Sequence, residues 1–183
     1  MREKKIALEA YLVASARLGD TRALNRLVAL HGPRLLTHAA RLLGERDAAH
    51  DVVQEAWIEI MRGLGGLRDD GAFLPWALRI VSRRVAREIK RRQKLRRRDE
   101  ALQAEPDEPN SPDQALRIDS ARVAAAIARL NPAQSATMAL FYLEEMSVTD
   151  VAMALDVPVG TVKTRLMHAR TKLRAMLEGE SDG

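Results

Sequence analysis

Apolar residues recur along most of the chain at intervals of three and four positions, and no stretch shows the sustained alternation of a strand. This period is that of amphipathic helices. Two polar residues in the first half are suited to helix N-caps. Asp20 begins a helix expected to run to Gly44, with His31–Pro33 bending or breaking it, and Asp47 caps the next helix, which ends near Gly63. The pattern therefore predicts an all-α protein.

A long helix is predicted next, from about Leu74 into an arginine-rich run, with Pro75 in the first turn, where proline is tolerated. Residues 99–113 then read DEALQAEPDEPNSPD, an acidic stretch with three prolines and no apolar period. Such a composition is typical of an extended, mobile linker.

Helix-start signals return after this acidic stretch, at Ser111-Pro112, at Asn131-Pro132 and in a capping box from Ser147 to Asp150. They predict four helices, over about 112–129, 132–144, 148–155 and 158–176. A chain of 183 residues can form one domain or two small ones. Here the pattern predicts two small helical domains, 1–97 and 113–178, joined by a flexible acidic, Pro-rich linker at 98–112.

Composition excludes several function classes. The chain has no cysteine and four scattered histidines, so it offers no disulfide, no thiolate chemistry and no paired spacing for a metal site. Paired carboxylates, a nucleophile with its base and a phosphate-binding loop are also missing, and we expect neither an enzyme nor a cofactor. The N-terminus carries no long apolar run or cleavage site, which predicts a soluble cytoplasmic protein.

Charge is distributed very unevenly. From Arg79 to Arg98 there are eleven Lys or Arg residues against one acid, and from Asp99 to Leu116 there are six acids and no base. Eleven cations in twenty residues repel one another strongly, and a partner of opposite charge relieves that repulsion. The basic run therefore predicts a polyanionic partner such as nucleic acid.

The last two predicted helices are joined by only two residues, which is the arrangement of a helix-turn-helix. At about 100° per residue, one face of the second helix is apolar and structural, formed by Val162, Leu166, Ala169 and Leu173. The opposite face carries Lys163, Thr164, Met167, His168 and Thr171, which suit contacts to bases or phosphates. A surface helix docked by its apolar stripe alone is the simpler alternative.

The stretch SVTDVAMALDVPVGTVKTRLMHARTKL closely resembles region 4 of bacterial extracytoplasmic-function (ECF) sigma factors, with the pattern P-x-G-T-V-K-[ST]-R-L-x-R-A-R. LNPAQSATMALFYLEEMS is similar to the helix that precedes it. The resemblance implies binding to the −35 promoter element through Lys163, Thr164, Met167 and His168, with Arg165 and Arg170 suited to backbone phosphates. His168 is a departure, since the family most often has Arg there.

AAHDVVQEAWIEIMRGL, residues 48–64, resembles region 2.2 of the same family, whose motif is D-V-V-Q-E-x-[FW]. The helical period predicts an apolar stripe of Val53, Trp57, Ile60, Met61 and Leu64. It leaves Ile58 exposed among acids, which suggests a basic, partly apolar partner. The resemblance implies that this partner is the coiled coil of the RNA polymerase β′ clamp, bound by Asp51, Gln54, Glu55, Ile58 and Glu59.

GLRDDGAFLPWALRIVSRRVAREIKRR resembles regions 2.3 and 2.4, which open the −10 element. The resemblance implies that the loop Gly65–Leu74 receives a flipped base, because promoter opening requires unstacked bases. We expect Phe73 and Trp76 to be core residues rather than stacking platforms. The family commonly has Asn where this chain has Arg83. The cations expected to bind −10 DNA are Arg79, Arg83, Arg84, Arg87, Lys90 and Arg91.

Together these features predict an ECF-type sigma factor that binds core RNA polymerase and directs it to promoters, as double- and single-stranded DNA, in a stress response. An anti-sigma factor is the regulator that the resemblance implies. One alternative is a sigma-like decoy that sequesters an anti-sigma factor without initiating transcription. A second is an ordinary helix-turn-helix repressor or activator, which explains residues 158–176 but not the acidic face of residues 51–59.

Overall fold

The computed structural model describes residues 2–100 and 126–179, and within these ranges every regular element is a helix. The predicted all-α class is confirmed. The helices are α1 (Arg2–Arg17), α2 (Thr21–Leu43), α3 (Arg46–Gly63), α4 (Phe73–Glu100), α5 (Pro132–Met138), α6 (Val148–Leu155) and α7 (Val159–Gly179). Short 3₁₀ turns connect α3 to α4, and one π turn follows α5.

Three of the predicted caps form. The Asp20 carboxylate accepts hydrogen bonds from two backbone N–H groups in the first turn of α2. Asn131 accepts one from the N–H of Gln134, and Ser147 and Asp150 form the reciprocal capping box at the start of α6. These contacts satisfy donors that every helix leaves unpaired in its first turn, so the local sequence suffices to set these starts.

Of the bend or break expected at His31–Pro33, the break does not occur, because α2 runs through Pro33. Proline removes one backbone donor, but the carbonyl that loses its partner belongs to Ala29, which is exposed and open to water. His31 and Leu35 are fully buried. Their packing holds the helix together across the proline.

The cap assigned to Asp47 is also wrong. α3 begins at Arg46, and its N-cap residue is Glu45, which makes no side-chain hydrogen bond to the helix. Asp47 lies instead in the first turn, where its negative charge interacts favourably with the helix N-terminus. The predicted end of this helix at Gly63 is confirmed.

The first four helices pack around a common apolar core. Phe73, expected in the core, is fully buried against the ring of His31 at 5.2 Å between centroids. Trp76 packs at the edge of the same cluster, 6.1 Å from Phe73. Both aromatic residues therefore have the structural role expected of them.

The C-terminal helices form the predicted helix-turn-helix. α6 and α7 are separated by residues 156–158, and Asp156 takes a left-handed conformation with φ of 55° at the end of α6. The apolar stripe of α7 is confirmed, since Val162, Leu166, Ala169 and Leu173 are each at most 9% exposed.

The two groups of helices are packed on each other rather than held apart. α6 lies against α4, α5 lies against α2, and one apolar cluster is continuous across both contacts. α4 extends to Glu100, into the segment predicted as linker. The rest of that linker and the first part of the helix expected at 112–129 lie outside the described residues.

Candidate nucleic-acid and partner-binding surfaces

The outer face of α7 is polar and accessible. Lys163, Thr164, Met167 and His168 are all exposed, opposite the buried stripe. Met167 is 56% exposed, so this otherwise polar face also presents an accessible apolar side chain. The Thr164 hydroxyl donates to the Gly160 carbonyl over 3.0 Å, so its oxygen faces outward as an acceptor. The face thus offers a cation, an acceptor and an apolar contact side by side.

The two arginines expected to flank this face differ in their surroundings. Arg165 is half-buried, and burial lowers the pKa of its guanidinium. Arg170 is exposed, and its Nε donates to the Tyr142 hydroxyl over 2.8 Å while its Cζ lies 5.7 Å from the centre of the Tyr142 ring. Phe141 packs edge-on against Tyr142 at 4.9 Å. Contacts with Tyr142 therefore position the Arg170 guanidinium. The Arg165 side chain is positioned by its partial burial.

Sequence reasoning missed Tyr142. This residue lies in the π turn at Ala139–Leu143, and 28 residues separate it from Arg170. No local pattern joins residues so far apart. The only sequence signal, that the chain has two tyrosines, is too weak to identify the contact.

The cations expected to bind −10 DNA fall into three sets along α4. Arg79 and Arg83 face α6 and form ion pairs there. Arg84 and Arg91 form ion pairs with acids of α3 and α4 respectively. Within the described part of the chain, Arg87 and Lys90 take part in none of the ion pairs, and both are exposed. The structure therefore does not bring the six together on one open face.

The acidic face of α3 is partly neutralised from within the chain. Arg84 contacts Glu55 and also donates its Nε to Glu59 over 2.9 Å. Asp51 belongs to none of the ion pairs of the described residues. Ile58, about two helical turns further along α3, is 45% exposed. The face is thus less charged than its sequence indicates, and it includes an exposed apolar residue.

Met61 does not belong to the buried stripe in which the helical period placed it. It is 44% exposed, whereas Val53, Ile60 and Leu64 from the same predicted stripe are buried. The prediction for Met61 is wrong because the buried face of α3 is rotated towards Val52 and Ala56.

A cluster of ion pairs continues along α4 beside this face. Glu88 accepts hydrogen bonds from Arg91 and Arg92, which hold the pKa of its carboxyl at about 2. Arg92 also contacts Glu45 at the start of α3. Although rich in arginine, this part of α4 is committed to contacts within the protein.

Among the described residues, three ion pairs cross between the N-terminal and C-terminal helices, and they share two carboxylates. The Asp156 carboxylate accepts from Arg79 Nε at 2.9 Å and from Arg83 Nε at 2.8 Å. Glu144, which follows the π turn, accepts from Arg34 Nε of α2 at 2.6 Å. Arg83 lowers the pKa of the Asp156 carboxyl more than any other contact, followed in effect by Arg79.

A buried hydrogen-bonded chain crosses the same interface. The Ser82 hydroxyl donates to the Ala154 carbonyl over 2.7 Å, so it accepts from His38 Nε2, which lies 2.9 Å away. His38 is 2% exposed, and burial together with the nearby Arg41 lowers its pKa to about 3. His38 is therefore a neutral imidazole with its proton on Nε2.

The loop before α4, expected to receive a flipped base, is anchored by α1. Arg17 donates to the Leu67 carbonyl over 2.7 Å and pairs with Asp70. Asp69 accepts from the N–H of Gly71, and Leu67 is buried. The base-binding role of this loop stays a prediction. Its backbone is positioned by the contacts with Arg17 at the end of α1.

Residues 2–100 and 126–179 contain no group of three or more side chains arranged to hold a metal ion. Within the same ranges, no helix combines the length and the apolar composition needed to cross a membrane.

Known protein families and individual proteins resemble this chain over most of its length. Residues 27–95 match the family described as Sigma-70 region 2, and residues 120–173 match Sigma-70, region 4. The RNA polymerase sigma-H factor of Pseudomonas aeruginosa is 31% identical, with 91% of this chain and 92% of that protein covered. The ECF RNA polymerase sigma factor SigM of Mycobacterium tuberculosis is 32% identical over 92% of this chain and 84% of its own length.

The RNA polymerase sigma factor CnrH of Cupriavidus metallidurans is 32% identical over 93% of this chain and 95% of its own length. A solved structure of CnrH in complex with the cytosolic domain of CnrY has a TM-score of 0.63, covering 94% of this chain and 98% of that one at 28% identity. RpoE bound to the anti-sigma factor NepR from Bartonella quintana has a TM-score of 0.67 over 85% of this chain and 96% of that one at 21% identity, which shows a shared fold.

Proposed function

Because the chain belongs to the ECF group of sigma-70 factors, which direct RNA polymerase to promoters and are not enzymes, we propose that three of its surfaces divide this work. The outer face of α7 reads the −35 element. The exposed cations of α4 and the loop before it bind and open the −10 element. The acidic face of α3 binds the β′ clamp coiled coil of the polymerase.

The observation that carries the proposal is the two-sided character of α7. Its apolar stripe is buried while Lys163, Thr164 and Met167 are exposed together, at the second helix of a helix-turn-helix. A helix in this position enters the major groove, where a cation reaches guanine or phosphate and a methyl-rich side chain meets thymine. Arg170, fixed by Tyr142, suits a phosphate at the edge of the groove.

For the polymerase contact, Ile58 is the proposed centre of the surface. Protein interfaces typically have an apolar core inside a polar rim, and a few central residues carry most of the binding energy. Glu55 and Glu59 are held by Arg84, so they form a pre-positioned rim rather than free charges. Asp51 completes the rim as the acid available to a basic partner.

Transcription reconstituted from purified core RNA polymerase and a library of promoters tests the proposal. We expect promoter-specific transcripts that disappear with Lys163→Ala, while Lys172→Ala, an exposed lysine of α7 outside the proposed reading face, leaves them unchanged. Loss of transcripts from both variants would refute the assigned face. Polymerase binding without initiation by the unaltered protein would indicate a decoy, and DNA binding without polymerase binding would indicate a repressor.

The polymerase surface has a matched pair of variants. Ile58 and Met61 are both apolar residues of α3 with nearly equal exposure, 45% and 44%. We expect Ile58→Ser to weaken polymerase binding at least tenfold, as for a central interface residue (about 1.4 kcal/mol or more). Met61→Ser, outside the proposed contact set, serves as the control. Equal losses from both would contradict a surface centred on Ile58.

We also propose an anti-sigma factor as the regulator and the cytoplasm as the place of action. The proposal of a protein regulator is supported by the solved structure of CnrH in complex with the cytosolic domain of CnrY. The closed packing of α6 on α4 supports regulation by a protein that binds both groups of helices at once. Co-purification with a candidate regulator, followed by loss of in vitro transcription on its addition, tests this part.

A further inference from the structure

Two guanidinium groups of α4 converge on a single carboxylate. Arg79 and Arg83 lie one helical turn apart, so their side chains project from the same face. Arg79 Nε is 2.9 Å from Asp156 Oδ1, and Arg83 Nε is 2.8 Å from Asp156 Oδ2. Each arginine therefore takes one oxygen of the carboxylate.

This arrangement has the geometry of an oxyanion site. A guanidinium presents its N–H donors in a planar fork that fits carboxylate and phosphate oxygens equally well. The contact also joins two parts of the protein, because Asp156 lies in the turn of the helix-turn-helix, 73 residues from Arg83. Its side chain is 36% exposed, so a competing anion in solution can reach the site.

The neighbouring interface does not depend on this contact. Ser82 bonds to the Ala154 carbonyl, Arg34 pairs with Glu144, and the apolar core is continuous across α4 and α6. A solvent-exposed ion pair contributes little to such a packed interface. The packing of α6 on α4 therefore does not explain why two arginines converge on Asp156.

We propose that Arg79 and Arg83 form a phosphate-binding subsite for promoter DNA, and that the Asp156 carboxylate fills this subsite in the closed protein in place of a phosphodiester. The proposal rests on the function proposed above and assigns a ligand to two of its residues. DNA and the Asp156 carboxylate then compete for the same donors, so −10 binding by Arg79 and Arg83 requires release of that carboxylate.

Arg83 brings a second cation to the subsite. Its Nε reaches the carboxylate of Asp156 over 2.8 Å. A shorter, uncharged side chain at this position, such as asparagine, would leave Arg79 as the single cation of the subsite. Arg83 therefore strengthens the contact with a phosphate and the contact with the internal carboxylate alike.

Binding of fluorescently labelled DNA, single-stranded and duplex, to the free full-length protein tests the proposal. In Asp156→Asn the carboxylate loses its charge, and Asn tolerates the left-handed backbone of this position, so the fold is retained. We expect binding to strengthen roughly threefold to tenfold at low salt, with a salt dependence steeper by about one phosphate contact. Circular dichroism confirms that the variant is folded.

Two further variants distinguish the subsite from a general charge effect. The gain from Asp156→Asn should vanish when Arg79 and Arg83 are both replaced by glutamine. Glu144→Gln removes the negative charge of the other carboxylate that is paired across the helix groups, and should give a smaller gain or none. The proposal is overturned by no gain in Asp156→Asn, by a gain that persists without the two arginines, or by equal gains from Asp156→Asn and Glu144→Gln. This measurement uses no polymerase, so it remains readable if the transcription assay fails.

Discussion

Replacing His38 with glutamine should remove a specific part of the acid sensitivity of the protein. In the native structure His38 is neutral, donates from Nε2 to Ser82, and has a buried Nδ1 without a hydrogen-bond partner. A proton on Nδ1 would place a charge beside the positive Arg41 in a site from which water is excluded. Glutamine keeps an N–H donor for Ser82 and cannot be protonated in this range.

The size of the effect follows from the two pKa values of His38, about 3 in the folded protein and 6.5 as the ordinary value. Between them the unfolded chain binds a proton and the folded protein does not, so stability falls as the pH falls. From neutral pH to about pH 5, the loss attributable to His38 is about 2 kcal/mol. This loss of stability starts near pH 6.5, the ordinary pKa of histidine, and continues down to about pH 3, the pKa of His38 in the folded protein.

Urea unfolding followed by circular dichroism, repeated across this pH range, measures the effect. Glutamine packs differently from imidazole, so the variant can be less stable at every pH; the informative quantity is the change with pH. His31 and the carboxylates are common to both proteins, and their contributions cancel in the comparison. Parallel pH profiles for the native protein and His38→Gln would refute the assignment of His38 as a buried neutral base.

Other variants test other parts of the structure. Tyr142→Phe removes the hydroxyl that holds Arg170, and we expect a few-fold weaker binding to −35 duplex DNA in a fluorescence titration, with an unchanged melting temperature; equal affinity would contradict the positioning role. His168→Arg should strengthen the same binding and steepen its salt dependence by about one contact, and an unchanged slope would place this side chain away from DNA. Ser147→Ala should cost about 1 kcal/mol in urea unfolding through loss of the capping box, a loss that Ser147→Asp should largely avoid. Leu166→Ala should cost about 2–5 kcal/mol by leaving a cavity in the buried stripe of α7; a cost below about 1 kcal/mol would mean that the stripe is not packed as described.

Local signals in the sequence predicted most of the secondary structure. The caps at Asp20, Asn131 and Ser147 act within a few residues, so they were correct. The break expected at Pro33 and the cap assigned to Asp47 were wrong. α2 continues through Pro33 between the fully buried His31 and Leu35, so packing outweighs the local effect of proline there. α3 begins at Arg46, after a Glu45 that makes no capping hydrogen bond, and Asp47 lies in its first turn.

The candidate surfaces were predictable to a smaller extent. The helical period of the sequence identified the exposed face of α7, because the positions of the apolar stripe also determine which residues lie opposite it. It could not identify the partners of Arg83, Arg84 and Arg170, which lie 73, 25 to 29, and 28 residues away along the chain. Counting the charges of α4 therefore overstated the cations open to DNA, since several are already paired within the described protein.

The contact between Arg83 and Asp156 also sets an order of events during synthesis. Asp156 is synthesised 73 residues after Arg83, the arginine with which it pairs. At about 5–20 residues per second, the N-terminal helices spend roughly 4–15 s on the ribosome before their internal competitor exists. For that interval the guanidinium groups of Arg79 and Arg83 lack the carboxylate with which they pair in the completed protein.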